Sequence, residues 1–184
     1  MKKNWAFLAA AAALTSLMGA APADPVHDSS FKEPNGDRVL QLYVDVKSSP
    51  KCVWHSFTDE EGIKAFGLKL AHVDLRNGGT IEEGFSETAR LGANETIRHH
   101  IIAYLPERLL VLQNEATPPG PPHSELYRNI VQVISVEPRG KNTRLTISHT
   151  GYGTGADYDQ LYGFFHNVND GFLKGVKRFC ETKT

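Results

Sequence analysis

The sequence predicts an α+β domain: a seven-stranded antiparallel sheet followed by one long terminal helix, with two short helices after the first strand. Three observations carry this. Six strand-like stretches between Leu68 and His149 are each bounded by turn residues, the pattern of consecutive hairpins. Ahead of them lie one alternating stretch and two short segments with helix-start signals. Near the end, Leu161, Phe165, Val168, Phe172, Val176 and Phe179 recur at spacings of four and three, the apolar stripe of an amphipathic helix.

The chain opens MKKNWAFLAAAAALTSLMGAAPADPV. Lys2 and Lys3 form a positive n-region, Ala6 to Met18 an apolar h-region, and Ala21-Pro22-Ala23 a small-x-small site. This is the pattern of a bacterial Sec-type signal peptide over residues 1–23, cleaved between Ala23 and Asp24, and it implies a periplasmic or secreted protein. The apolar run is shorter than the ~20 residues of a membrane span, so no stable membrane anchor is expected. Removal of residues 1–23 takes two lysines and no acids from 20 basic and 21 acidic residues, leaving a net charge of −3. Without a Lys/Arg run or basic stripe, nucleic acid is not an expected partner.

Residues 24–36 are polar and turn-rich and read as a flexible lead-in; the domain proper spans 37–184. From Val39 to Val46, Leu40, Leu42, Val44 and Val46 alternate with Gln41, Asp45 and Lys47, a half-buried strand. Ser49-Pro50 starts a helix to about Phe57, with proline at its first position. Thr58 to Glu61 reads as a capping box, Thr58 at N-cap, opening a second helix to about Gly67. Strands then follow over Leu68–Arg76 and Thr80–Thr88, joined by Asn77-Gly78, a strong hairpin signal. Further strands are expected over Glu95–Leu105, Arg108–Gln113, Tyr127–Val136 and Thr143–His149. A loop with four prolines, Ala116 to Glu125, interrupts the series. The terminal helix runs from about Tyr158 to Cys180, with Asp157 as N-cap and Lys174, Lys177 and Arg178 near its C-terminus, where the helix dipole favours cations.

Gly151, Gly153, Gly155 and Ala156 formally match the G-x-G-x-x-[G/A] turn of dinucleotide-binding folds. That fold needs a buried parallel strand before the turn, whereas Leu145, Ile147 and His149 alternate with Arg144, Thr146 and Ser148. It also needs a further strand with an acid ~20 residues on, and Asp157 and Asp159 stand where a pyrophosphate would bind. The match is a coincidence of loop glycines, and no cofactor is expected. Metal binding finds no support either. His99 and His100 are neighbours on a strand and point to opposite faces, and H-x-x-x-H and C-x-x-C are absent. Glu60-Glu61 and Glu82-Glu83 read as solvated faces or caps. Cys52 and Cys180 are either a disulfide, as an oxidising compartment invites, or two buried thiols.

A strand, two short helices, a six-strand meander and a long terminal helix form the helix-grip arrangement, in which the sheet curls around the last helix. Ser49-Pro50 before Val53-Trp54, Phe57-Thr58-Asp59, Asp74 to Gly79, Tyr104 to Arg108 and Thr143 to Thr146 occur in the order and spacing of that class. On these motifs the chain resembles the SRPBCC superfamily, which includes START lipid-transfer domains, polyketide cyclases and plant pollen allergens. It is most similar to the AHSA-like branch, related to activators of the heat-shock chaperone ATPase. Gly151-Tyr152, Leu161 to Phe165 and Asn169 resemble exported bacterial members. The resemblance covers residues 38–181.

The resemblance implies an apolar cavity between sheet and terminal helix. It sets Cys52 in a cradle helix against Cys180 on the helix being cradled, which makes their disulfide geometrically reasonable. Trp54 reads as packing between the two. His149 shares a strand face with Leu145 and Ile147, while Tyr158, Phe165, Asn169 and, at the edge, Tyr162 fall on the cavity side of the helix. These five are the candidate ligand-binding residues for a small hydrophobic or amphipathic molecule. For the polar ones, hydrogen bonding that closes the strand-to-helix junction is the structural alternative. No catalytic constellation is visible, so a binding module is the first reading. A cyclase- or hydrolase-like enzyme using His149 with Tyr162 or Tyr158 comes second. A co-chaperone-like module comes third, since export would separate it from a cytosolic chaperone.

Overall fold

The computed structural model describes residues 25–183; the expected signal peptide and the Ala23–Asp24 cleavage site lie outside them. The elements are β1 (His27–Asp28), β2 (Phe31–Lys32), β3 (Arg38–Val46), α1 (Pro50–Thr58), α2 (Glu60–Lys64), β4 (Leu70–Val73), β5 (Thr80–Gly84), β6 (Thr96–Leu105), β7 (Leu109–Ala116), a 3₁₀ helix (Ser124–Asn129), β8 (Val131–Arg139), β9 (Asn142–Tyr152) and α3 (Ala156–Glu181). All strands join one antiparallel sheet in the order β1-β3-β9-β8-β7-β6-β5-β4, with β2 also on β3. The α+β helix-grip architecture is as the sequence predicts, with nine strands in place of seven.

The two additional strands come from the segment read as a loose lead-in. His27 and Asp28 pair with Tyr43 and Leu42, and Phe31 and Lys32 with Val39 and Arg38. The His27 ring stacks on Tyr43, centroids 4.8 Å apart. Such edge pairing runs through backbone hydrogen bonds and leaves no apolar alternation to read.

Alternation builds the core. Leu40, Leu42, Val44 and Val46 of β3, Leu145 and Ile147 of β9, and Ile134 and Val136 of β8 are all buried on the inner face. Each contributes roughly 1.5–3 kcal/mol by leaving water. On the outer face Arg144 holds Asp45 with two hydrogen bonds of 2.9 and 2.8 Å and lies over the Tyr43 ring at 4.2 Å.

Ser49 caps α1 by accepting from the Cys52 amide. The cap of α2 is Asp59, not Thr58: its carboxylate accepts from the Gly62 amide at 3.0 Å, while Thr58 completes α1 and donates back to the Trp54 carbonyl. Asp outcompetes Thr because it keeps a charge at the positive end of the new helix. Gly62 lets the two helices abut, since a Cβ there would sit 2.1 Å from the His55 carbonyl oxygen.

Helix α3 starts two residues before the expected Tyr158, behind Gly155 and without a side-chain cap; Asp157 lies in its first turn. Its apolar stripe divides. Leu161, Leu173, Val176 and Cys180 are buried as the helix packs on β3 and β9, whereas Phe165, Val168, Phe172 and Phe179 face a cavity. Lys177 Nζ donates to the Asp45 carbonyl at 2.6 Å and to Glu181 at 2.8 Å. A disulfide joins Cys52 on α1 to Cys180 on α3. Trp54 is buried in the core beneath. Among the described residues no helix is long and apolar enough to cross a membrane.

Candidate functional site

Sheet, α3 and the short helices enclose a cavity of about 990 Å³, at the upper end of the ~300–1,000 Å³ typical of small-molecule sites. Its walls are mostly apolar and aromatic. At one end Phe57, Phe66, Phe172 and Phe179 form a cluster with ring centroids 4.9–5.6 Å apart. At the other, Tyr127, Phe164 and Phe165 pack together, and the Phe165 ring meets the His149 imidazole edge-on at 4.6 Å. Phe85 and Val168 line the cavity yet are exposed, so it opens between the end of β5 and the middle of α3. Thr117, Pro118 and Pro121 bring the proline-rich loop to its wall.

Of the five candidate residues, His149, Phe165 and Asn169 line the cavity. His149 is buried on the inner face of β9. Its Nδ1 lies 3.4 Å from the Tyr152 hydroxyl, and its Nε2 has no partner. Burial, and secondarily the nearby His99, push its pKa down to about 3, so the ring is neutral at physiological pH. Asn169 is buried on α3 with its Nδ2 unpartnered.

Tyr158 and Tyr162 stand outside the lining, a correction to the sequence reading. Tyr158 accepts from Asn129 Nδ2 at 2.8 Å and lies against Gly153, where a Cβ would meet its ring at 2.5 Å. Tyr162 packs on Tyr152 at 5.0 Å and lies under the Arg38 guanidinium at 5.4 Å. Both close the strand-to-helix junction, because the first turns of α3 face the end of β9 rather than the hollow of the sheet.

Three further side chains belong to the site. Tyr127, expected on a strand, sits on the 3₁₀ turn with its hydroxyl buried and unpartnered; burial pushes its pKa up to about 12. His99 lines the cavity, and burial lowers its pKa to about 4 against the opposing pull of Glu115. Glu83 also faces in, and burial raises its pKa to about 7. Neither acid of the Glu82-Glu83 pair is a solvated face. Glu82 is buried on the other side of the sheet and accepts from the Gly92 amide and the Thr96 hydroxyl, both at 2.6 Å. The signal available for Glu83 and His99 was their two-residue spacing from Ile81 and Ile97 on the same strand faces, which share the cavity wall.

A curved antiparallel sheet clasping a terminal helix over an apolar cavity defines a helix-grip domain of the SRPBCC type. The family model described as activator of Hsp90 ATPase homolog 1-like protein matches residues 47–175, and the chain belongs to that family. No curated protein sequence matches it. Its fold is similar to the solution structure of the Aha1 dimer from Colwellia psychrerythraea, at 15% identity over 78% of this chain and 96% of that one, TM-score 0.60. It is also similar to CalU16 from Micromonospora echinospora, at 17% identity over 88% of each chain, TM-score 0.59. An HSP90 activator from Plasmodium falciparum matches at 15% identity over 74% of this chain and 88% of that one, TM-score 0.50.

Proposed function

We propose that this is an exported binding protein that holds one small, largely apolar molecule with a polar end in the cavity between sheet and α3. The observation that carries this reading is the set of three buried polar atoms without a protein partner on residues that line one cavity: Tyr127 Oη, His149 Nε2 and Asn169 Nδ2. Buried polar groups in proteins are nearly always satisfied. Water can serve them until a ligand arrives, but a ligand that displaces it must bring matching donors and acceptors. The aromatic ends supply the apolar contact that binds the rest of the molecule.

The enzymatic reading loses its proposed partners, since Tyr158 and Tyr162 point elsewhere and His149 sits with Tyr152. The family description favours one competing reading, a protein-binding role. Native mass spectrometry of the purified protein, with a thermal-shift screen of fatty acids, sterols and aromatic compounds, separates the two. A ligand at about 100 times its Kd should stabilise the fold by about 2.7 kcal/mol. Blank results throughout, with one stoichiometric protein recovered from the periplasm by pull-down, would overturn ligand binding in favour of a protein partner.

A further inference from the structure

Glu83 sits inside the cavity with nothing from the protein to answer it. It lies on β5 between Ile81 and Phe85, across from Ile97 of β6. No described residue donates a hydrogen bond to its carboxyl, and burial alone governs its proton affinity. The other titratable or charged groups lining the cavity are His99, Tyr127, His149 and Arg178. Burial keeps both imidazoles neutral, and Tyr127 retains its proton. Arg178, the one cation of the lining among the described residues, is exposed near the end of α3 and does not offset the burial of Glu83. Glu83 is half-buried on the cavity wall, and a carboxylate there without donor or counter-ion is disfavoured.

We infer that the ligand carries a protonated amine, which docks on the Glu83 carboxylate while its apolar body fills the aromatic-lined remainder. This rests on the cavity being a ligand site, as proposed above. An ammonium group supplies both the missing charge and the missing N–H donors. His99 faces the cavity diagonally from Glu83, opposite Ile81, and its neutral imidazole can accept a second N–H. A ligand carboxylate or phosphate would repel the ionised Glu83, and a neutral alcohol supplies no charge to hold the acid ionised.

The test compares dodecylamine, 1-dodecanol and dodecanoate, each below its micelle or solubility limit, by calorimetric titration of the purified protein. Dodecylamine should bind about tenfold or more tightly than dodecanol, with dodecanoate weakest, and Glu83→Gln should erase that preference while dodecanol still binds. Independently of the variant, amine binding at about pH 6 must ionise Glu83 and release nearly one proton, seen as a buffer-dependent heat, falling toward zero by about pH 8.5. Equal affinities for amine and alcohol, with no proton released, would overturn the amine and leave the cavity site standing. Failure of dodecylamine to bind while another compound of the thermal-shift screen binds would overturn the amine alone; blank results for every compound, with one stoichiometric protein recovered by pull-down, would overturn the cavity reading and this inference with it.

Discussion

Asn169 contributes little to the fold around it: its amide nitrogen is buried on α3 and no described protein group accepts from it. A nearly isosteric apolar residue removes that desolvation cost, so Asn169→Leu should raise stability by about 1–3 kcal/mol in urea unfolding while weakening ligand binding. A loss of stability would show that the amide is satisfied after all. The same cavity sets how stability varies with pH. His99 and His149 drop from 6.5 to about 4 and about 3, so the unfolded chain takes up their protons first. Their contribution is whole above about pH 6.5 and is lost as pH falls toward those values. Glu83, raised from 4.5 to about 7, acts oppositely: its contribution is whole below 4.5 and is lost as pH rises through 7. Between 4.5 and 6.5 two sites outweigh one, and stability should fall by about 1.4 kcal/mol per pH unit on acidification, levelling off below about pH 4 as the imidazoles charge in the folded protein too. Glu83→Gln should steepen that limb; a flat thermal-unfolding profile would refute the assignment. His149 and Asn169 were legible as cavity-lining residues because strand and helix periodicity place each on its face. Glu83 escaped notice because a charged pair reads as solvent-facing until the sheet around it is known to curve over a cavity.

Among the elements, α1 and α3 are tied most firmly, by a covalent bond between the two ends of the domain. The Cys52–Cys180 bridge spans 128 residues, and closing so long a loop restricts the unfolded chain strongly. Reduction, or paired Cys52→Ser and Cys180→Ser replacement, should therefore cost about 2–5 kcal/mol. Thermal unfolding with and without reductant measures it, and an unchanged Tm would mean that the bridge constrains nothing. The amphipathic rod and the meander were readable because burial imposes periods of 3.6 and 2 on their sequences. Boundaries were not: β4 ends at Val73, three residues short of the expected end, because the Asn77-Gly78 turn is drawn into a wider connection in which the Asp74 amide reaches the Thr80 carbonyl. Likewise Ser124–Asn129 coils into a 3₁₀ turn, and Tyr127 reaches the cavity wall from there. Its apolar neighbours alone could not distinguish that turn from the start of a strand.

At the scale of the whole molecule, we propose export on two grounds, one disulfide and one N-terminal pattern. A bridge between distant parts of a single-domain protein persists where the surroundings are oxidising, and residues 1–23 carry the charge, apolar run and small-residue site of a Sec signal. The two arguments are independent, since one rests on the fold and the other on residues outside it. Expressed in a bacterium from its own N-terminus, the protein should be recovered from the periplasm with Asp24 first and no free thiol. Replacing Lys2 and Lys3 by Glu, or placing Asp in the Ala9–Ala13 run, should hold it in the cytoplasm, where Cys52 and Cys180 stay reduced and the fold loses the stability of the bridge. Intact mass and thiol titration of the two fractions decide it. A chain that keeps Met1 and remains in the cytoplasm would sink the export reading. The cavity and its ligand would survive that outcome, but the competing partner role would regain the cytosolic chaperone that export denies it.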